Sequence, residues 1–318
     1  MLDVGVRSHA QFTTPSKYKD RQLRTPSVPE LPEVEHLRRS LVPFVEGARV
    51  IRAQLHRSDI LDRSAVSSRL SARDALLFNR HITSIQRHGK QLALMANDGA
   101  VLCVHLGMSG QLTLTEADCL VTQQNHQHAE WLLQLSDGSR AKLIFRDPRR
   151  FGGLWHLPSR AALDERWAKL GPDALAITAA ALAGAVERAR RPIKSVLLDQ
   201  SLVAGVGNIY ADEALFRSRI APTRLATLLN QSEVHSLAKA VRQILTEAVN
   251  CGGSTVNDYV DARGKPGSFQ RSHKVYGRAG LECDRCPAML VSSRLAGRTT
   301  VWCPDCQPTG LMHSRTKL

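Results

Sequence analysis

The sequence predicts an α+β chain of several domains: an N-terminal antiparallel β-sandwich with flanking helices, then a helical domain, then a small cysteine-rich β-hairpin. Three observations carry this reading. Between Arg49 and Phe145 apolar residues alternate and turn sequences separate the runs, whereas from about Ala161 the apolar period becomes helical. Near the end, four cysteines fall in two tight pairs. At 318 residues, 43% of them hydrophobic, the chain can furnish more than one core.

In chain order, residues 1–28 are polar and basic, contain Pro15 and Pro26, and lack the apolar centre of a secretory signal. They read as an extension outside the folded body. After Pro32, the residues Val34, Leu37, Leu41 and Phe44 share one helical face, and Gly47 is placed to end that helix. Alternation then marks strands at Arg49–Leu55, Gln91–Ala96, Ala100–Leu106, Glu130–Leu135 and Arg140–Phe145. Asn97-Asp98-Gly99 and Ser136-Asp137-Gly138-Ser139 supply hairpin turns, so residues 29–160 are expected to form one sandwich domain. Helical patterning covers Ala161–Leu170, Thr178–Arg191, Ile193–Gln200, Asn208–Arg217 and Ser232–Asn250, giving a helical domain over 161–255 that Cys251-Gly252-Gly253 closes. Residues 256–306 combine an aperiodic polar loop with the cysteine hairpin, and 307–318 reads as a frayed tail.

The chain carries 43 basic and 29 acidic side chains, a net charge of +14. Residues 1–28 hold only five of the basic and two of the acidic groups, so the remainder still has 38 against 27, or +11. A folded body this basic favours a polyanionic partner through phosphate neutralisation. No stretch approaches the roughly 18 apolar residues of a membrane span. Seven cysteines, with Cys103, Cys119 and Cys251 scattered, do not form a disulfide framework, and a reducing, cytoplasmic setting is expected.

Cys283-x-x-Cys286 and Cys303-x-x-Cys306 are separated by sixteen residues, the spacing of a four-cysteine zinc site. One structural Zn²⁺ is therefore expected, held at the base of a hairpin with strands Ala288–Ser293 and Thr299–Trp302 and the turn Leu295-Ala296-Gly297. Such a site staples a module too small to fold alone.

The run Pro29-Glu30-Leu31-Pro32-Glu33-Val34-Glu35 places a potential secondary amine beside a carboxylic acid. Within a peptide bond the proline nitrogen is an amide and attacks nothing. At a chain start it would be a nucleophile able to form an iminium, a fixed positive charge that draws in electrons. Downstream, His105-Leu106-Gly107-Met108-Ser109-Gly110 joins two β segments, and Asp147-Pro148-Arg149-Arg150-Phe151-Gly152 is a second loop. Met108 is an apolar side chain able to wedge between bases, and the second loop offers arginines with an aromatic two places on. Val203-Ala204-Gly205-Val206-Gly207-Asn208 is a glycine-rich turn before a helix, without the strand a dinucleotide fingerprint requires.

These motifs, in this order, resemble the formamidopyrimidine-DNA glycosylases, bacterial base-excision enzymes, over nearly everything from Pro29 to Cys306. The resemblance implies a helix-two-turns-helix DNA-binding domain in the helical part and a zinc finger at the end. It implies a bifunctional glycosylase and abasic-site lyase for oxidised purines in double-stranded DNA, with Pro29 as nucleophile, Glu30 as proton carrier, Lys90 in the active site, and Arg298 of Gly297-Arg298-Thr299-Thr300 reaching phosphate and assisting elimination. It implies that Met108, Arg149 and Phe151 fill the stack left by the extruded nucleotide, that His126, Arg190, Lys194 and Asn208 contact DNA, and that the N–H groups at the helix following Gly207 bind phosphate. Gly264-Lys265-Pro266-Gly267-Ser268-Phe269, continuing to Val275-Tyr276-Gly277-Arg278, resembles the mobile loop over the extruded base.

Two other readings stand beside it: an endonuclease VIII-like glycosylase for oxidised pyrimidines, and a non-catalytic zinc-ribbon DNA-binding protein if residues 1–28 stay attached. Val28 precedes Pro29 directly, and a valine codon can start translation, so the working protein is expected to begin at Pro29 after initiator removal, or to be processed there. Nothing in the sequence demands more than a monomer.

Overall fold

Helix α1 (Leu31–Val45) belongs to two cores at once. The computed structural model describes residues 29–64, 70–117, 125–255 and 259–309; the extension 1–28, Cys119, the start of the loop at 256–258 and the end of the tail lie outside these. Leu31 packs into the helical half with Val203, Val206 and Ile209, whereas Val34, Leu37, Leu41 and Val45 pack into the sandwich. The helix ends where expected, at Gly47, whose φ of +84° a side chain would strain. Phe44 is only partly buried and lies under the Arg263 guanidinium, 4.7 Å from the ring centre.

The sandwich strands are β1 (Arg49–Leu55), β2 (Leu61–Asp62), β3 (Ile82–His88), β4 (Gln91–Ala96), β5 (Val101–His105), β6 (Gln111–Glu116), β7 (Gln127–Gln134), β8 (Arg140–Arg146) and β9 (Gly153–Leu157). One sheet runs β1-β7-β8-β6 and the other β2-β9-β5-β4-β3. All pairings are antiparallel except the short β2–β9 bridge. Leu92, Leu94, Leu102, Val104, Leu112, Ala129, Trp131, Leu143 and Phe145 fill the core between the sheets.

Patterning gave no bounds for β2, β3, β6 or β9, and for β3 and β9 the reasons are physical. A register shift between Ile82 and Ser84 breaks the period-two alternation of β3. β9 lies inside its sheet with nearly every side chain covered, so Gly-Leu-Trp-His-Leu shows no polar face to alternate with.

Of the helices α2 (Ala72–Ala75), α3 (Arg160–Trp167), α4 (Ala179–Glu187), α5 (Ile193–Leu198), α6 (Asn208–Arg217) and α7 (Gln231–Asn250), the last four build the helical half. Asn230 caps α7: its side-chain oxygen accepts the Glu233 N–H while the Glu233 carboxylate accepts the Asn230 N–H, each at 2.9 Å. Helix α6 is covered on all sides from Ile209 to Phe216. None of the described helices is long and apolar enough to cross a membrane.

Strands β10 (Glu282–Cys283), β11 (Cys286–Met289), β12 (Val291–Leu295) and β13 (Arg298–Trp302) form two small hairpins rather than the single one expected. The longer one turns at Ala296-Gly297, both at positive φ, a two-residue turn whose twist matches its strands. Val301, Leu290, Val275 and Phe216 join this module to α6.

Candidate active site at the seam between the two cores

Because α1 spans both cores, its first turn emerges at the seam between them. The Leu31 N–H donates to the Gly205 carbonyl at 3.1 Å, which fixes the start of the helix on the glycine-rich turn before α6. Glu30 is 2% exposed, and its carboxyl accepts the N–H groups of Ile209 at 3.0 Å and Tyr210 at 3.4 Å. A Cβ on Gly207 would lie 2.2 Å from the Glu30 carboxyl carbon, so no larger residue fits there. The N-terminus of α6, expected to hold a DNA phosphate, is therefore occupied by the protein's own carboxyl group. That expectation is corrected for two groups: the Ile209 and Tyr210 N–H groups, with the helix dipole, act on Glu30.

Burial pushes the Glu30 carboxyl above its ordinary range, while the half-buried Lys90 ammonium and the N–H groups of α6 hold it down. Lys90 is driven the other way, lowered by burial, raised by Glu30 and lowered again by Arg298. Glu30, Lys90 and Arg298 thus converge electrostatically, although they arise from three separate segments. Lys90 is positioned by its neighbour: the Asp173 carboxylate accepts the Gly89 N–H at 2.8 Å and pairs with Arg87, which in turn pairs with Glu35 of α1 at 2.9 Å.

Beside Glu30, the buried Glu33 accepts the Glu30 N–H at 2.8 Å, the Tyr210 hydroxyl at 2.5 Å and the Ser254 N–H at 2.7 Å. Ser254 also contacts His273 Nε2 at 3.0 Å, and the Tyr259 hydroxyl donates to the Glu33 carbonyl at 2.8 Å. Burial and then the Glu30 charge push Glu33 up to about 7 against these hydrogen bonds. Burial alone lowers His273 to about 4. Sequence reading missed this group, although a glutamate three residues after Glu30 is the capping-box signal.

The same contacts revise the loop resembling the lesion cover. Phe269, Val275 and Tyr276 are buried, and the Glu213 carboxylate accepts the N–H groups of Lys274, Val275 and Tyr276. Over 267–276 this segment is pinned to the helical core, against the expectation of a mobile loop; residues 263–266 are exposed.

Lys194 is a second correction. It is fully buried, with its ammonium 2.7 Å from the Asp212 carboxylate and donating to Thr300 Oγ1 at 2.8 Å and the Thr299 carbonyl at 3.3 Å. It cannot grip a DNA backbone from there. Its role is to tie α5 and α6 to β13, the strand that opens with Arg298. Asn208 does the same from the start of α6, donating to the Thr299 carbonyl at 3.0 Å, while its side-chain oxygen has no hydrogen-bond partner among the described residues. Arg298 itself is exposed at the hairpin tip, and Arg190 is exposed beyond α4.

On the sandwich side, Met108 is half-buried, Arg149 is exposed and Phe151 is 57% exposed, with the Arg149 guanidinium 5.1 Å from the Phe151 ring centre. An exposed phenylalanine under an arginine suits stacking against another flat group. His126 is exposed at a positive φ of 70°, and its carbonyl accepts the Asp147 N–H at 3.1 Å. The loop carrying Met108 meets the one carrying Arg149 and Phe151 through the Ser109 hydroxyl, which donates to the Asp147 carboxylate at 2.5 Å.

The sulfurs of Cys283, Cys286, Cys303 and Cys306 lie within 4.8 Å of one another, with close pairs at 3.5 and 3.9 Å. Tetrahedral thiolates about 2.3 Å from a zinc ion stand about 3.8 Å apart. The Arg285 and Cys306 N–H groups point at the sulfurs of Cys283 and Cys303, at 3.4 and 3.3 Å, which stabilises the thiolate form. The donor set fits a metal ion.

Comparison with known proteins agrees with this architecture. A family model described as the formamidopyrimidine-DNA glycosylase N-terminal domain matches residues 28–154, and one described as the formamidopyrimidine-DNA glycosylase H2TH domain matches residues 170–260. The formamidopyrimidine-DNA glycosylase of Thermomicrobium roseum is 40% identical over 296 residues, covering 88% of this chain and 99% of its own. Among solved structures, Lactococcus lactis Fpg with abasic-site DNA superimposes with a TM-score of 0.77 at 31% identity, covering 88% of this chain and 99% of that one. MutM with DNA containing carbocyclic 8-oxo-G gives 0.76 at 31% identity, covering 88% and 100%.

Proposed function

The chain belongs to the formamidopyrimidine-DNA glycosylase family, and from that membership we propose that it excises oxidised purines, such as 8-oxoguanine and formamidopyrimidines, from duplex DNA and then cleaves the strand at the abasic site. The observation that carries the reading is the raised, buried carboxyl of Glu30 directly after Pro29 and beside Lys90. Burial strengthens the hold of a carboxyl on its proton, which suits proton transfer.

The Pro29 nitrogen, as a free secondary amine, attacks C1′ of the damaged nucleotide. The glycosidic bonding pair leaves with the base, which takes up a proton. Glu30 moves protons as the sugar ring opens, leaving an iminium between Pro29 and C1′. The iminium acidifies C2′; loss of that proton expels the 3′ phosphate by β-elimination. A following δ-elimination, assisted by Arg298, releases the 5′ phosphate, and water returns the proline. Lys90 opposes the burial that raises the Glu30 carboxyl and faces the sugar and phosphate.

This chemistry requires that residues 1–28 be absent from the active protein, which is supported by the family model beginning at residue 28. The four cysteines would hold a zinc ion whose contribution is structural: it cross-links the hairpin that carries Arg298.

Borohydride trapping tests the reading. Protein beginning at Pro29 is expected to form a covalent adduct with an 8-oxoguanine duplex, and the 318-residue chain is expected to form none. Binding without any adduct from the Pro29 form overturns it in favour of a non-catalytic DNA-binding protein. Faster trapping on oxidised pyrimidines would assign the endonuclease VIII-like specificity instead.

A further inference from the structure

The three side chains expected to refill the duplex come from two loops, 105–110 and 147–152, and a single carboxylate joins them. Asp147 is fully buried, and no salt bridge among the described residues involves it. Its Oδ1 accepts the Ser109 hydroxyl at 2.5 Å and the Arg149 N–H at 3.3 Å; its Oδ2 accepts the Gly152 N–H at 2.7 Å. Ser109 Oγ in turn accepts the Arg149 N–H at 3.0 Å. Each contact falls on a void-filling residue or its immediate neighbour: Ser109 follows Met108, Arg149 is held by its own N–H, and Gly152 follows Phe151.

The main chain of Asp147 extends the arrangement to the sheet. Its carbonyl contacts His128 Nε2 of β7 at 2.7 Å, and its N–H donates to the carbonyl of His126. The loops also touch directly, since a Cβ on Gly107 would lie 2.3 Å from the Gly152 nitrogen. A buried carboxylate leaving water costs several kcal/mol unless its lone pairs are satisfied. Here two donors come from its own loop and the third, the Ser109 hydroxyl, from the other, so separating the loops would cost the carboxylate that donor.

We propose that Asp147 is a positioning residue for lesion extrusion: with Ser109 it clasps the two loops so that Met108, Arg149 and Phe151 enter the duplex as one rigid wedge. This rests on the glycosylase reading above. The physical gain is in preorganisation. Three side chains on independent loops would each lose freedom on entering the stack, whereas a clasped set has lost it already. Asp147 touches neither the sugar nor the base and is not a catalytic residue.

Asp147→Asn tests the clasp, because the amide keeps the shape but replaces one acceptor oxygen with a donor. Two substrates are compared by single-turnover trapping with protein beginning at Pro29: 8-oxoguanine paired in a duplex, and the same lesion bulged with no opposite nucleotide, where little stack must be opened. D147N is expected to slow trapping about tenfold or more on the paired lesion and less than about threefold on the bulged one. A fluorescent base analogue opposite the lesion should report slower unstacking to match. Ser109→Ala, which keeps the Asp147 bonds to Arg149 and Gly152, is expected to show the same split at smaller size, and the double variant should be no slower than D147N alone. If D147N fails to fold, S109A decides by itself. Equal loss on both substrates, or none on either while the unmodified protein is active, overturns the clasp. Failure of the unmodified protein on both substrates overturns the glycosylase reading instead.

Discussion

Two carboxylates on α1, Glu33 and Glu35, stand two residues apart, both nearly inaccessible to water, and their surroundings drive them in opposite directions. Burial would raise Glu35, but Arg38, Arg39 and Arg87 hold it down to about 2. Glu33 meets no arginine; burial and the adjacent Glu30 push it up to about 7. The helix is the same and the residue type is the same. What differs is the company: guanidinium groups fix a permanent charge and make Glu35 a structural tie, while neutral donors and a neighbouring acid leave Glu33 and Glu30 able to exchange protons. One side of α1 therefore holds the seam together and the other carries the acids that burial raises.

The strongest way to break this contrast is to neutralise the acid on each side. In protein beginning at Pro29, Glu30→Gln is expected to slow base excision by about 10²–10⁴, measured by single-turnover cleavage. Its folding stability should move by less than about 1 kcal/mol, because the amide oxygen still accepts the N–H groups of α6. A large stability loss with activity retained would put Glu30 on the structural side.

Glu35→Gln should do the reverse. It takes one of the two carboxylates from the buried Arg87, which keeps Asp173, and removes the common partner of Arg38 and Arg39. Denaturant unfolding should show a loss of about 3–5 kcal/mol, while excision per folded molecule stays within about threefold of the unmodified protein.

The pH dependence of stability sharpens the comparison because the signs differ. Glu33 has its pKa raised from 4.5 to about 7, so its contribution is full below about 4.5 and is lost as pH rises through 7. Glu35 has its pKa lowered from 4.5 to about 2, so its contribution is full above about 4.5 and is lost as pH falls through 2. Glu33→Gln should remove on the order of 2–3 kcal/mol of the stability change between pH 4.5 and 7. Glu35→Gln should instead flatten the acid limb below pH 4.5. Unfolding midpoints at several pH values check both, and a shared window for the two variants would break the contrast.

The smallest expected effect is at Lys90. Its ammonium lowers the Glu30 carboxyl, so Lys90→Met lets Glu30 rise, and the pH midpoint assigned to Glu30 should move upward. A downward movement in the excision profile would show that another group controls that limb.

Much of the architecture was legible in local sequence. The apolar stripes of α1 and α7, the hairpin turns and the paired cysteines each obey a rule that operates within a few residues, and the resemblance carried by several motifs brought the domain order. β3 and β9 escaped because a register shift and two-sided burial erase alternation. The site was legible as a set of residues, but the environment of each was not. Lys194 reads as a surface cation, and only its burial against Asp212 and β13 turns it inward. The start of α6 reads as a phosphate site, and only the approach of Glu30, 179 residues away in the chain, fills it.

The sequence alone determined which residues carry reactive groups, where strands give way to helices, and which four sulfurs can share a metal, because periodicity, turn chemistry and ligand spacing are short-range properties. The tertiary structure alone decided which charges are buried, which are paired, and which acids are raised or lowered. Desolvation and ion pairing depend on groups brought together from distant segments, and no local pattern in the chain encodes that company.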